Sequence, residues 1–305
     1  MTKIERPPYL SPEWHSQRKH DQNGKTRFGA SDAPVLMGVS QYRNIVDLFI
    51  SRTTETEPEP PNEAQMRGHR LEPALLAYAS ELLGQEVTTP EGWHTEGRFV
   101  ATLDGLTSDE TVVVECKTTT AYSSDDDIPL PFYWQVQAQL ACVDTAEYAL
   151  VVVLDKWMRF GSWRVERNEQ DIAELLLTAE KVGDSFDNGE LPTDSVLRED
   201  QVKSLYPNPE GVLELTSEQF DIVCRYAQIK GQAEQLENEE KYWREAVANL
   251  LAQYETATYD GKTVVSYKSR KGGTRLDTKS LSAEHPELVA KYQRVSQPTR
   301  VMRFH

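Results

Sequence analysis

The chain has 305 residues, of which 38% are hydrophobic and 27% are charged. This length fits one large domain or two modest ones, and the hydrophobic fraction can build a real core, so global disorder is excluded. The formal net charge of −16 argues against a protein that binds nucleic acid over its whole surface.

The cysteines and the hydropathy pattern indicate a cytoplasmic protein. Cys116, Cys142 and Cys224 are odd in number and far apart in the sequence, which argues against a disulfide framework, an iron–sulfur cluster or a cysteine-type zinc site. No run of eighteen apolar residues occurs, and the first residues lack the apolar stretch of a signal peptide. We therefore expect neither a membrane span nor secretion.

Charge is distributed unevenly along the chain. Residues 262–305 contain ten Lys and Arg residues against three Asp and Glu residues, a net charge of +7, so the other 261 residues carry −23. This basic end is either a solvated tail that balances an acidic body, a surface that contacts DNA phosphates, or a contact with a protein partner. The cations at its beginning are Lys262, Lys268, Arg270, Lys271 and Arg275.

The N-terminal segment predicts two short helices. Residues 9–20 read as a helix for which Ser11 is a suitable cap. Trp14 and Arg18 lie four residues apart in it and therefore share a face. Ser31 follows a Gly-containing turn and is a candidate cap for the next helix.

Helical and β-rich patterns alternate along the rest of the chain. Apolar residues that recur every three to four positions predict helices over residues 44–52, 64–83, 132–143, 168–186, 217–254 and 286–292. Runs rich in β-branched and aromatic residues predict strands over residues 87–89, 97–102, 111–117, 147–154, 160–166, 262–268 and 300–304. Pro73 interrupts the second of these helices and indicates a kink or the start of a further helix. An acidic, proline-rich loop is expected over residues 53–63.

These patterns predict an α/β fold with a central mixed β-sheet flanked by helices. A C-terminal long helix plus a small β extension follow this core. The corresponding domains are a core over residues 1–190, a connecting segment over 191–216, and an extension with a basic end over 217–305.

A bend that carries carboxylates joins two of the predicted strands. Asp104 lies eleven residues before Glu115, and a hairpin between them would return the first carboxylate to the second. Side chains along a strand alternate between its faces, so Glu115 and Lys117 share one face and Cys116 points to the other. Two carboxylates and an ammonium suit a hard cation and an activated water. A Glu-x-Lys pair on a strand is also a common surface ion pair, so these residues alone leave both interpretations open.

Six ordered motifs resemble those of the lambda exonuclease and YqaJ-like viral recombinase group, which has the PD-(D/E)xK nuclease fold. The resemblance extends over about residues 9–187. The motifs are W-H-x-x-R at 14–18, G-x-S at 29–31, G-x-x-x-E-P at 68–73, T-L-D-G at 102–105, E-x-K at 115–117 and Q-V-Q at 135–137. The group's motif that corresponds to residues 102–105 usually reads S-P-D-G, so Thr102 keeps the hydroxyl and Leu103 replaces a proline.

The resemblance implies a metal site in this chain. Asp104 and Glu115 would bind Mg²⁺, for which Mn²⁺ could substitute. The backbone carbonyl of Cys116 would be an additional ligand, and Glu72 would be a further acidic ligand, directly or through water.

The resemblance also implies roles for five other residues. Lys117 would position or deprotonate the attacking water and stabilise charge in the transition state, and Gln135 would orient the site. Arg18, Ser31 and Thr102 resemble a pocket for the 5′-phosphate of the substrate. An arginine fork with two hydroxyls suits a terminal phosphate dianion.

The activity implied by this resemblance is Mg²⁺-dependent 5′-to-3′ exonuclease action on double-stranded DNA ends. It would release 5′-mononucleotides and leave 3′ single strands for a single-strand annealing protein in phage-type recombination. Members of the group form rings around DNA, so a homo-oligomer is a further expectation. An endonuclease or structure-specific nuclease on the same fold is one alternative, and a non-catalytic protein that binds DNA ends or a partner is another.

Overall fold

The structure is a computed structural model that describes residues 2–8, 11–54, 61–192, 196–269 and 271–293. The chain divides into two compact units, Met1–Pro207 and Asn208–His305, and this boundary falls inside the predicted connecting segment 191–216. Within the described ranges, no helix has both the length and the apolar character needed to cross a membrane.

Ten α-helices and eleven strands are defined in the described residues. The helices are α1 Pro12–Lys19, α2 Ala33–Leu36, α3 Ile45–Thr53, α4 Glu63–Leu83, α5 Leu130–Cys142, α6 Glu169–Asp187, α7 Glu199–Leu205, α8 Ser217–Leu251, α9 Thr278–Glu284 and α10 Pro286–Tyr292. The strands are β1 Thr2–Ile4, β2 Phe28–Gly29, β3 Val87–Thr88, β4 Trp93–Glu96, β5 Phe99–Ala101, β6 Gly105–Thr107, β7 Val112–Thr118, β8 Tyr148–Leu154, β9 Phe160–Glu166, β10 Thr256–Tyr259 and β11 Lys262–Ser266.

A five-stranded mixed sheet in the order β3-β6-β7-β8-β9 forms the centre of the first unit. Strands β7 and β8 are parallel, and the other neighbours are antiparallel. Alternate side chains of β7 enter different cores, because Val112 and Val114 pack with Leu75 and Ala79 of α4, whereas Val113 packs in the larger core that contains α5 and α6. The central strands are therefore covered by helices on both faces.

A second sheet of the first unit has the order β1-β4-β5-β2. Its short strands β2 and β5 run parallel, with Phe28 opposite Phe99 and Gly29 opposite Val100. Both phenylalanines are fully buried and join the larger core. The ends of these two strands consequently lie side by side, and the chain leaves them towards Ser31 and towards Asp104.

The second unit contains α8, the antiparallel hairpin β10–β11 and the short helices α9 and α10. Helix α8 has 35 residues, and Thr216 caps it by accepting from the Gln219 amide. The hairpin turn lies at Asp260 and Gly261, both of which have positive φ angles.

The predicted fold class is confirmed: a mixed sheet is flanked by helices, and a long helix and a small hairpin follow. Ser11 caps α1 by accepting from the Trp14 amide, as predicted. The predicted cap at Ser31 is wrong, because this residue lies inside a 3₁₀ turn, Ala30–Asp32, that precedes α2. Helix α4 continues through Pro73 without a second start.

Several short elements were absent from the sequence-based prediction. These are β1, β2, β4, β6, β10, α7 and α9. The predicted strand over 300–304, the residues Tyr9 and Arg270, and most of the loop over 53–63 lie outside the described residues.

Candidate active site

The pairing of β6 with β7 brings the two predicted carboxylates together. Gly105 lies opposite Val114, so the preceding residue, Asp104, reaches the position beside Glu115. A carboxylate oxygen of Asp104 accepts a 2.8 Å hydrogen bond from the Cys116 amide. Gly105 is required at the start of β6, because an added Cβ would lie 2.5 Å from Val87 Cγ1 and 2.7 Å from Leu76 Cδ2.

Glu115 is the centre of a buried hydrogen-bond network. Its side chain is only 5% exposed. One carboxylate oxygen, Oε1, accepts from Lys117 Nζ at 2.6 Å and from Gln135 Nε2 at 2.6 Å. Lys117 Nζ also donates to the side-chain amide oxygen of Gln135, Oε1, at 2.7 Å. The predicted shared face of Glu115 and Lys117 is therefore present, and Gln135 faces it from α5.

Gln139 completes this network and was not among the predicted site residues. Its amide nitrogen donates to the second carboxylate oxygen of Glu115 at 2.5 Å, and the residue is fully buried. The signal for it in the sequence is the spacing of four residues from Gln135, which places both amides on one face of α5. The side-chain amide oxygen of Gln139, Oε1, is buried and has no hydrogen-bond partner among the described residues.

The carboxylate of Asp104 is electrostatically unfavourable without a counter-ion. Burial and the nearby charge of Glu115 raise the pKa of Asp104 well above its ordinary value, although the Cys116 amide and Lys117 oppose this shift. A divalent cation would compensate both effects, since it favours two adjacent ionised carboxylates. Mg²⁺ is typically held by one or two carboxylates while it keeps several waters, so this donor pair fits such an ion.

The other two predicted ligands lie at the edge of this site. Glu72 on α4 adds negative charge near Asp104, while its carboxylate lies 3.6 Å from His69 Nδ1. The Cys116 side chain packs on the α4 side of the sheet, and burial raises the pKa of its thiol. Within the described ranges, no three His, Cys, Asp or Glu side chains form a group that could hold a metal ion. The roles of Glu72 and of the Cys116 carbonyl as ligands stay predictions.

A separate cationic cavity of about 250 Å³ contains two of the three predicted phosphate-binding residues, Arg18 and Ser31. The guanidinium of Arg18 stacks 4.5 Å above the ring of Trp14 and also lies against Gly29, where an added Cβ would be 2.9 Å from Arg18 Nη2. The glycine of the G-x-S motif thus permits the close approach of this arginine. The lining side chains are Trp14, His15, Arg18, Lys19, Ser31, Asp32, Arg43 and Arg52.

The charge of this cavity is strongly positive. Asp32 is its one acidic lining residue, and it pairs with Arg52 and lies 3.6 Å from Arg43. Burial and the nearby Arg52 lower the pKa of Lys19, as expected where cations crowd together. The lining has four cationic side chains and one carboxylate. This excess of positive charge suits a compact anion.

Thr102 does not line this cavity. It directly follows β5, and β5 contacts the Ala30–Asp32 turn that contains Ser31. The Thr102 hydroxyl is buried and has no hydrogen-bond partner among the described residues. Only Leu103 separates Thr102 from Asp104, so their Cα atoms are at most about 7 Å apart. The chain therefore couples the cationic cavity to the carboxylate site.

We expect the Asp104→Asn variant to be more stable than the wild type when divalent cations are removed. The raised pKa of Asp104 means that stability is lost as the pH rises through that value, so the ionised form is the unfavourable one. At pH 8 with a chelator, the apparent melting temperature should rise by about 2 °C or more. In acid, near the ordinary aspartate pKa of about 3.9, this advantage should vanish. Mg²⁺ should stabilise the wild type and not the variant.

The control for this measurement is Glu86→Gln, which removes an exposed carboxylate. It should change neither the melting temperature without metal nor the stabilisation by Mg²⁺. A variant that melts below the wild type without metal and still gains stability from Mg²⁺ would contradict the site.

Comparisons with known proteins find relatives that are similar to this chain. The chain is 26% identical over 302 residues to the uncharacterized protein YqaJ of Bacillus subtilis strain 168. The aligned region covers 90% of this chain and 89% of that protein. Among solved structures it is similar to the alkaline exonuclease LHK-Exo of Laribacter hongkongensis, with 24% identity, a TM-score of 0.48, and coverage of 59% of this chain and 94% of that one. The complex of LHK-Exo with dAMP is similar at 26% identity and a TM-score of 0.47, with the same coverage. Residues 13–147 match the family model of the YqaJ-like viral recombinase domain, which is the group that the sequence motifs resemble.

Proposed function

We propose that this chain is a divalent-metal-dependent exonuclease that degrades double-stranded DNA from its 5′ ends. The observation that carries the proposal is the buried network of Asp104, Glu115 and Lys117, in which two carboxylates and an ammonium converge on one spot. Its position in a YqaJ-like viral recombinase domain supports a role in DNA processing. The reaction is hydrolysis of a phosphodiester that releases 5′-mononucleotides and leaves a 3′ single strand.

The side chains of the network have distinct tasks in this reaction. A bound Mg²⁺ or Mn²⁺ would polarise the phosphate and lower the pKa of a water. Lys117 has three N–H donors, two of which have partners in the network, so the third can hold the attacking water or a phosphate oxygen. Gln135 fixes the Lys117 ammonium, and Gln139 fixes the second oxygen of Glu115. The carboxylate is thus oriented before substrate binds, as catalysis requires.

The cationic cavity supports the 5′-to-3′ polarity of the proposal. A terminal phosphate is a dianion, whereas an internal phosphodiester carries one negative charge, so a cavity rich in cations prefers a strand end. Arg18 offers a planar fork of donors, and Ser31 and Thr102 offer hydroxyls. Because Thr102 is separated from Asp104 by one residue, an end held there would lie at a fixed distance from the site of hydrolysis.

The acidic character of the chain supports confinement of DNA to this region. With a formal net charge of −16, most of the surface repels a polyanion. In the second unit, Lys262, Lys268, Lys271 and Arg275 are exposed, and contact of these cations with DNA phosphates is part of the proposal. The 3′ strand would pass to a single-strand annealing protein in phage-type recombination.

A digestion assay with two labels tests the proposal. On a 5′-phosphorylated duplex in Mg²⁺, a 5′ label should appear first as a mononucleotide, while a 3′-labelled strand shortens progressively. Lys117→Ala should reduce the rate by about 100-fold or more, because a preorganised charge near the reacting phosphate is lost. The matched control is Lys156→Ala, which removes an exposed lysine and should retain the wild-type rate.

Two results of this assay would reject the proposal. Internal fragments that retain the 5′ label would identify an endonuclease or a structure-specific nuclease on the same fold. Absence of any product with Mg²⁺ or Mn²⁺ would identify a protein that binds DNA ends or a partner without catalysis.

The proposed phosphate site predicts a specific defect for Arg18→Ala. The wild type should degrade a 5′-phosphorylated duplex about tenfold faster or more than a 5′-hydroxyl duplex, since charge-assisted hydrogen bonds to the phosphate are worth about 1.5–3 kcal/mol. In the variant this ratio should fall towards one, while the rate on the 5′-hydroxyl duplex persists and shows that the carboxylate site is intact. Lys25→Ala, at an exposed position, is the control. An unchanged ratio in Arg18→Ala would exclude the cavity as the phosphate site.

A further inference from the structure

The ring of Phe132, in the first turn of α5, lies against the ammonium group of Lys117. Lys117 Nζ is 5.3 Å from the centroid of this ring, which is within the distance at which the face of an aromatic ring attracts a cation. Phe132 precedes Gln135 by three residues, so both side chains share one face of the helix. The ammonium is therefore contacted from α5 by a ring and by an amide oxygen.

Two further aromatic rings hold Phe132 in place. Its ring centroid lies 5.6 Å from that of Tyr122, in an edge-to-face arrangement, and 6.2 Å from that of Trp163. Trp163 is itself anchored, because its indole N–H donates to the backbone carbonyl of Asp126 at 2.7 Å. Phe132 also packs against the larger core of the first unit. Since aromatic pairs of this kind are stabilising, the ring is kept beside Lys117.

The surroundings of Lys117 are unfavourable for a cation without such contacts. The N-terminal end of a helix carries a partial positive charge, and α5 begins at Leu130, two residues before Phe132. The Lys117 side chain is only 21% exposed, so water compensates little of its charge. Oxygens of Glu115 and Gln135 accept from the ammonium and offset part of this cost. The ring face of Phe132 supplies a third attractive contact and excludes water from one flank of the ammonium.

We propose that Phe132 is a positioning residue for Lys117, which it holds in one place through the contact between its ring face and the ammonium. This inference rests on the proposed function, in which Lys117 acts on the attacking water or the phosphate. Two N–H groups of the ammonium donate to Glu115 and Gln135, so the direction of the third is fixed once the nitrogen is fixed. Phe132 thereby determines where the third N–H points, although its ring does not contact the substrate.

The turnover of a 5′-phosphorylated duplex in saturating Mg²⁺ tests this role. Phe132→Leu keeps an apolar side chain against the core but removes the ring, so it should lower kcat about 5- to 30-fold. KM should change by less than about twofold, because the contact orients a group that acts in the transition state. Phe132→Tyr keeps the ring face and should restore kcat to within about twofold of the wild type.

The matched control is Tyr78→Leu, which removes another half-buried ring. Tyr78 packs on the α4 side of the same sheet, whereas Lys117 faces α5. The control variant should therefore keep the wild-type kcat, even if it melts at a lower temperature. A kcat in Phe132→Leu equal to that of the wild type would overturn the proposal.

A double-mutant cycle separates positioning from packing. In a Lys117→Ala background, Phe132→Leu should cause no further loss of rate, because the ring acts through the ammonium that this background lacks. A ring that only supports the fold would lower the rate by the same factor in both backgrounds, and equal factors would overturn the proposal. A wild-type rate in Lys117→Ala itself would reject the proposed function, whereas a defective Lys117→Ala beside a fully active Phe132→Leu would reject only the role of Phe132.

An NMR measurement on the full chain tests the contact without reference to activity. In protein with lysines labelled at Cε, the Hε protons of Lys117 should be shifted upfield by the facing ring, and Lys117→Ala identifies their signal by its loss. The shift should disappear in Phe132→Leu and persist in Phe132→Tyr. A Lys117 signal that Phe132→Leu leaves unmoved would overturn the contact and the proposal with it.

Discussion

The buried carboxylate of Glu115 is the constraint on which the first unit depends. An ionised group that is 5% exposed is stable only if both of its oxygens find donors, and removal of one partner of a buried charge typically costs about 3–5 kcal/mol. The donors are Lys117, two residues along β7, and Gln135 and Gln139 on α5. Helix α5 must therefore cross β7 in one register, which the burial of Val136 and Leu140 in the same core reinforces.

The two faces of strand β7 have different roles, one in packing and one in the candidate active site. The face towards α4 is apolar at Val112 and Val114 and packs without polar groups. The face towards α5 begins apolar at Val113 and becomes ionic at Glu115 and Lys117. Polar residues at positions where a covered strand is normally apolar are characteristic of functional sites. Burial and the charge of Glu115 raise the pKa of Asp104, and a bound cation would relieve this repulsion between the two carboxylates.

The sequence alone predicted the elements that have strong periodicity and the residues that have ordered motifs. Strand β9 and helix α10 have the predicted bounds, and Asp104 lies beside Glu115 because strand pairing follows from the bend between them. Strands of two to four residues, such as β4 and β6, were not predicted, because such short strands form only through pairing with residues that are distant in the sequence. Gln139 was not predicted because it lies outside the Q-V-Q motif, and its spacing of four residues from Gln135 alone does not identify its partner, Glu115. The apolar period of α8 was visible in the sequence, but periodicity alone does not specify the surface against which a helix packs.

The proposed function requires that Asp104 and Glu115 together hold a divalent cation at the site of hydrolysis. Anomalous diffraction from crystals grown with Mn²⁺ tests it most directly, because this ion substitutes for Mg²⁺ and can be located without reference to activity. We expect one strong peak within about 2.5 Å of carboxylate oxygens of both residues, and this peak should disappear in Asp104→Asn. A peak elsewhere in the chain, or a peak beside Glu115 that survives this substitution, would contradict it.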